Sequence, residues 1–188
     1  MPSARLYHVD KTDGKSYYLD VDPQTHSLIV TTNEHHHIHE GYAWSITGTA
    51  TLNAGGVFRY LFVTVNSDYL VHLRYKVSGE AEGTFEIYEA PTYSNAGTSV
   101  TPVNRNRDNP TLARTTITHT PTTSNQGTQI YYSSFGAGRN SGTEAANEEW
   151  ILARNKAYLI VITSDAAGNE MDWELFWYEH SKFEESYG

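Results

Sequence analysis

The sequence predicts an all-β fold: an antiparallel β-sandwich or jelly roll preceded by an N-terminal arm or hairpin. Three observations lead there. Tyr, Thr, Ser, Gly and Asn are abundant, with 14 Tyr and 4 Trp in 188 residues, a composition that suits pleated, half-buried surfaces. Short apolar or alternating runs recur along the chain, and turn signals separate them at near-regular spacing. No window is dominated by Leu and Ala, as a helical bundle would require.

The chain is long enough for one domain with a real core plus an arm. Residues 1–32 read as the arm and 33–188 as the sandwich domain. Within the arm, Ser16–Val21 and Ser27–Val30 can pair around the Pro23 turn. A two-stranded hairpin is marginal alone, so it is expected to pack on the main body or on another chain.

The main body opens with Tyr42–Leu52, alternating and rich in β-formers, and turns at Asn53–Gly56. Val57–Val65 is an apolar strand. Tyr69–Val77 alternates in its second half, which gives it one buried and one wet face. Gly79–Gly83 is a turn, and Thr84–Glu89 alternates again. Ala90–Asn109 reads as a loop region, Leu112–His119 as a Thr-rich strand, Pro121–Gln126 as a loop and Gln129–Tyr132 as a strand. Phe135–Asn147, with three glycines, reads as a mobile loop. Ala145–Trp150 is the one stretch able to make a helical turn. Trp150–Leu152, Ala157–Thr163 and Trp173–Glu179 are the last strands, the final two joined as a hairpin by Asp165–Asn169. About eight or more short strands of this kind fit a sandwich, a jelly roll or a small barrel.

One stretch repeats. Pro91–Val100 and Pro121–Ile130 lie 30 residues apart, and both place Ser-Asn before Gly-Thr. They read as equivalent loops at one end of the sandwich.

Composition narrows the function. There is no cysteine, so there is no disulfide framework, thiolate metal site or thiol nucleophile. The net charge of −9 argues against nucleic acid as a partner, since phosphate binding needs clustered Lys and Arg; Arg105, Arg107 and Arg114 form only a sparse group. No apolar run approaches the roughly 20 residues of a spanning helix, and mean hydropathy is −0.54, so no membrane partner is expected. Met1–Arg5 leads into polar sequence, without the apolar core of a secretory signal.

The most conspicuous local feature is Glu34-His35-His36-His37-Ile38-His39-Glu40-Gly41, which holds four of the nine histidines. On a strand, His35, His37 and His39 would share one face and could take Zn²⁺ or Ni²⁺ through imidazole nitrogens. Glu34 and Glu40 could add oxygens, and His8, His26, His72, His119 and His180 are possible further ligands. A cupin-type metal enzyme is the sharpest catalytic reading, because His37-Ile38-His39 matches its opening. The position for its metal-binding Glu, however, falls near Ala43 or Trp44, and neither can ligate. The plainer reading has these imidazoles hydrogen-bonding or stacking at the entrance to the first main strand, with Gly41 at a turn or bulge. No bound metal or cofactor is therefore expected. The sequence has no nucleophile elbow, phosphate loop or His-Glu-x-x-His, and the chain reads as a non-enzyme.

Trp44, Trp150, Trp173, Trp177 and Tyr178 are the candidates for core and interface. Trp173, Leu175 and Trp177 share one face of a strand, and Glu174, Phe176 and Tyr178 share the other, which suggests a strand covered on both sides, in the core and at a subunit interface.

Several segments taken together carry a resemblance: His36–Trp44, Tyr88-Glu89-Ala90-Pro91-Thr92 with Gly97-Thr98, Asn104-Arg105-Asn106-Arg107, Glu149–Leu152, Tyr158–Ile160 and Trp177–His180. In this order they resemble a family of tailed-bacteriophage virion proteins, over about residues 30 to 180. The resemblance implies a head decoration or cement protein: a β-sandwich homotrimer on the capsid exterior, made in the host cytoplasm, with the major capsid protein and further copies of itself as partners. The capsid contacts are then expected at His36, His37, His39, Glu40 and Gly41, together with the arm. The alternative is a tail or head-fibre adhesion module that binds a host surface glycan through the loops at 91–110, 121–128 and 135–147, with an exposed aromatic platform.

Overall fold

The computed structural model describes residues 7–9, 16–18, 33–65, 68–136, 144–145 and 149–181. In chain order its elements are β1 (Tyr7–Val9), β2 (Ser16–Tyr18), α1 (Asn33–Glu40), β3 (Ala43–Leu52), β4 (Val57–Val63), β5 (Tyr69–Gly79), β6 (Gly83–Glu89), β7 (Thr92–Asn95), β8 (Thr98–Val100), β9 (Val103–Asn104), β10 (Thr116–His119), β11 (Thr122–Asn125), β12 (Thr128–Phe135), β13 (Glu144–Ala145), β14 (Trp150–Leu152), β15 (Ala157–Ser164) and β16 (Asn169–Ser181). Two six-stranded antiparallel sheets form a β-sandwich. One has the order β12-β6-β15-β4-β10-β8. The other runs β13-β5-β16-β3-β9, with β14 also paired to β5.

The core lies between the sheets. Trp44, Leu73, Tyr75, Trp173, Leu175 and Trp177 come from one side, and Tyr60, Phe62, Phe85, Ile87, Tyr158 and Ile160 from the other. Rings meet across the gap. Tyr75 stacks on Phe85 at 3.9 Å, Trp177 meets Phe62 edge-on at 5.1 Å, and Trp173 Nε1 donates to the Tyr60 hydroxyl at 3.0 Å. Leu159 and Val161, on the opposite pleat of β15, are buried as well. This explains why that strand reads as a continuous apolar run rather than an alternating one.

The chain alternates between sheets: β3, β5, β14 and β16 lie in one, and β4, β6 and β15 in the other. The turn Asp165–Gly168 therefore crosses the sandwich, where a hairpin was expected. The apolar faces of β15 and β16 bury each other by facing across the core, which side-by-side pairing would not achieve.

The repeated segments form a pseudo-twofold device. Ala90 and Thr120 turn the chain with φ of 56° and 58°, and Gly97 and Gly127 turn it back with φ of 93° and 92°. Between these turns β7 pairs with β11, matching Thr92 to Asn125 and Asn95 to Thr122. Beyond them each copy pairs with the strand that leads into the other: Thr98 sits opposite His119, and Thr128 opposite Glu89. The symmetry reaches the sheet centre, where His119 pairs with Tyr60 and Glu89 with Tyr158. The regions 90–109 and 121–126, read as loops, thus contain the strands β7, β8, β9 and β11. Their mainly exposed polar side chains hid the pairing from an apolar-periodicity reading.

Two further expectations change. Ser16–Tyr18 pairs with Tyr7–Val9, and Ser27–Val30 lies outside the described residues. A helix occurs at Asn33–Glu40, while of the stretch 145–150 Ala145 pairs with Lys76 and Trp150 with Leu73. Gly41 ends that helix with φ of 80°. Its N–H reaches the Ile38 carbonyl at 3.1 Å, and the Tyr42 N–H reaches that of His37 at 2.9 Å, the paired bonds of a Schellman stop. Within 137–148, residues 137–143 and 146–148 lie outside the described residues.

Candidate functional site

The histidine segment is helical, and this redistributes its side chains. At 3.6 residues per turn, positions four apart share a face, whereas a strand would align every second residue. His35 and His39 therefore meet on the outer surface, with their Nε2 atoms 2.9 Å apart. His36 pairs with Glu40 at 3.2 Å. His37 turns inward and is only 5 % exposed. The three-imidazole face of His35, His37 and His39 does not form, and His37 and His39 do not converge as a cupin site would need. Among the described residues, no three histidine or carboxylate groups gather in a metal-holding arrangement.

α1 lies on the outer face of β16 and β5. That face carries Phe176, Tyr178 and His180 from β16 and His72 and Arg74 from β5. His37 stacks on Tyr178 at 4.9 Å and on His180 at 5.2 Å. Beneath it His72 stacks on Tyr178 at 4.5 Å. Polar atoms link the same groups. His72 Nδ1 meets Glu149 Oε1 at 2.5 Å, His72 Nε2 meets His180 Nε2 at 2.7 Å, and His180 Nδ1 meets the Ser181 carbonyl at 3.0 Å. The Tyr178 hydroxyl donates to Glu149 Oε1 at 2.8 Å. Burial, reinforced by the Glu149 carboxylate, raises the pKa of that phenol and keeps it a donor.

At the start of the helix, Glu34 clamps two guanidiniums, Arg74 at 2.6 Å and Arg105 at 2.5 Å. Both lie over the Phe176 ring, at 5.1 and 5.6 Å. The segment after β9 completes the seat. Asn104 Nδ2 donates to the Gly41 carbonyl at 2.7 Å, and Asn106 Nδ2 to the His39 carbonyl at 2.8 Å. On the inward pleat of β16, fully buried Glu179 accepts from the backbone N–H of Arg114 and from both the N–H and hydroxyl of Thr115.

Three segments far apart in sequence, 36–44, 104–107 and 177–180, thus meet at one place. Sequence reasoning named His72 and His180 only as possible ligands and did not foresee their contact. Only the register that pairs His72 with Tyr178 shows that the two histidines are neighbours. The second cover on β16, attributed to a subunit interface, is supplied by the chain's own α1.

The remaining candidates divide clearly. Trp44, Trp173, Trp177 and Tyr178 are buried. Trp150 is half-buried, its ring edge-on to Tyr131 at 5.6 Å. Of the expected capsid contacts, His37 and Gly41 are buried and cannot face a partner, while His36, His39 and Glu40 are exposed. Among the described residues the exposed large apolar side chains are Tyr93, Val103, Leu112, Tyr132 and Ile151. Four of them stand on edge strands, β7, β9, β12 and β14, and Leu112 follows β9. A shallow groove of about 260 Å³ beside Gly48 and Trp173 is smaller than the roughly 300–1,000 Å³ of typical ligand sites.

No protein-family model matches the chain, and no curated protein matches its sequence significantly.

Proposed function

We propose that this protein is a non-enzymatic structural component of a tailed-bacteriophage virion, a decoration or cement protein bound to the outside of the capsid as a homotrimer. The observation that carries the reading is the placement of the exposed apolar side chains. Val103, Tyr132, Ile151 and Tyr93 lie on strands that are outermost among the described residues, and Leu112, 91 % exposed, follows one of them. Apolar groups on open edges are a liability for an isolated chain and an asset for one that assembles. The meeting of segments 36–44, 104–107 and 177–180 in one network supports the resemblance, because those residues hold a helix in place and need no catalytic role.

The adhesion reading draws on Tyr93, exposed on the β7–β11 ribbon, and on Tyr132, exposed on β12, but the tryptophans supply no open platform. Immunogold electron microscopy of intact virions separates the two. Label spread over the head is the expected result. Label confined to the tail or its tip supports adhesion instead, and virions without label remove both readings. Deletion of residues 1–30 is expected to abolish capsid binding while the sandwich stays folded.

A further inference from the structure

We propose that the outer edge of β3, Thr47–Thr51, pairs with the same edge of a second copy of this chain, about a twofold axis at Thr49. The contact is separate from the threefold association proposed above, and it does not rest on the virion reading.

The edge follows from the hydrogen bonds. β9 covers β3 only at Trp44 and Ser45, and among the described residues no strand lies beside the rest of it on that side. The Arg105 N–H donates to the Ala43 carbonyl at 2.9 Å, so Ala43 turns its backbone toward β9. Along a strand this direction recurs at every second residue. Thr47, Thr49 and Thr51 therefore aim their N–H and C=O groups to the same side, past the end of β9, while Gly48 and Ala50 aim theirs at β16. All three threonines are exposed. Such edges are ordinarily guarded by Lys, by Pro or by a bulge. β3 contains neither residue, and its register with β16 runs unbroken from Ala43 to Leu52.

The edge's own sequence selects the partner. Thr47-Gly48-Thr49-Ala50-Thr51 is almost the same read in either direction. Antiparallel pairing centred on Thr49 sets Thr47 against the partner's Thr51, Thr49 against its own counterpart and Gly48 against the partner's Ala50. Each threonine pair then exchanges both backbone bonds. Threonine meets threonine on the outer pleat, a favourable cross-strand match, and small residues meet on the inner one. This register engages all three threonines and stops short of β9. Both copies present the same patch, so the contact closes as a pair.

Charge permits it. A chain of net charge −9 is repelled by its own copies, but β3 carries no charged side chain. Glu174, Asp172 and Glu170 of β16 stand opposite Thr47, Thr49 and Thr51, one strand in from the edge. Across the joined sheet the two acidic rows are three strand spacings apart, about 14 Å. That exceeds the screening length of about 8 Å at physiological salt.

The lack of cysteine allows a direct test of register. Opposite Cα atoms in a hydrogen-bonded antiparallel pair lie about 5.5 Å apart. In the full-length protein, Thr49→Cys is expected to give a covalent dimer with a bifunctional thiol reagent of short span. Thr47→Cys and Thr51→Cys, each about 14 Å from its own counterpart along the strand, should stay single chains alone and cross-link to each other when mixed. Thr49→Pro removes an N–H that points away from β16, so circular dichroism and melting temperature should stay close to wild type. Self-association in analytical ultracentrifugation should weaken about tenfold or more, since each copy loses a hydrogen bond to the other. Thr49→Val keeps the N–H and should associate like wild type. Equal cross-linking at all three positions, no cross-linking at position 49, or a wild-type protein that sediments as a monomer throughout would each overturn the proposal.

Discussion

Tyr158 shows what burial does to a single side chain in this sandwich. Its hydroxyl accepts from the Ala153 N–H at 2.8 Å and donates to Glu89 at 3.1 Å. Burial is the main cause that pushes its pKa up from 10.0 to about 12. Burial also raises that of Tyr60, which accepts from Trp173. Because the folded value lies above the unfolded one, the contribution to stability is intact below pH 10 and is lost as pH rises through about 12. Alkaline unfolding should therefore be cooperative in that window, with tyrosinate absorbance rising as near-ultraviolet circular dichroism is lost. Tyr158→Phe should flatten the pH slope by about one proton, at a cost of about 1 kcal/mol for the lost hydrogen bonds. A slope unchanged in that variant would show that Tyr158 is not the titrating group. The aromatic content that drives this behaviour was legible in the sequence. The hydrogen-bond partners were not, because Glu89 and Tyr158 meet only through strand register.

At the scale of the element, the paired arches give a sharper test. Gly97 and Gly127 share a left-handed φ and donate to Asn95 and Asn125 in the same way, at 2.9 and 2.8 Å. A Cβ at either would run into a backbone carbonyl, that of His119 or of Glu89. Gly97→Ala and Gly127→Ala should each destabilise by about 1–3 kcal/mol or more, and by similar amounts, as measured by urea unfolding. Very unequal costs would mean that the two arches do not carry equal weight. The repeat itself was visible as Ser-Asn and Gly-Thr recurring at a fixed offset, but not the exchange by which each copy pairs with the strand leading into the other. Polar strands such as Thr122–Asn125 carry no apolar period to read. Helix α1 was misread for a related reason. Histidine is an indifferent helix former, and the alternate spacing of His35, His37 and His39 suggested a strand. The informative signals were the ends, Asn33-Glu34 at the start and Gly41 at the stop.

At the scale of the whole molecule, the outer edges carry the proposed assembly surface. Leu112 is nearly fully exposed and Val103 is 53 % exposed on the adjoining edge strand. If this edge is an assembly surface, Leu112→Glu should leave the unfolding temperature almost unchanged, because exposed substitutions rarely cost more than about 0.5 kcal/mol. The same change should abolish self-association in analytical ultracentrifugation. Wild-type-like sedimentation of the variant would move the interface to the other edges, β12 and β14.

The sequence by itself determined the all-β class, most of the core strands and the inward set of aromatics, because alternation and turn chemistry are local and leave a period in the chain. It also showed the acidic, cysteine-free character and the internal repeat. Only the tertiary structure decided which sheet each strand joins, that β15 and β16 face each other instead of pairing, and that His37, His72, Tyr178 and His180 form one buried cluster linked to the exposed Glu149. Those outcomes depend on long-range register and on the exchange of water for neighbouring side chains. His72 and His180 lie 108 residues apart, and nothing in the spacing of either records the other.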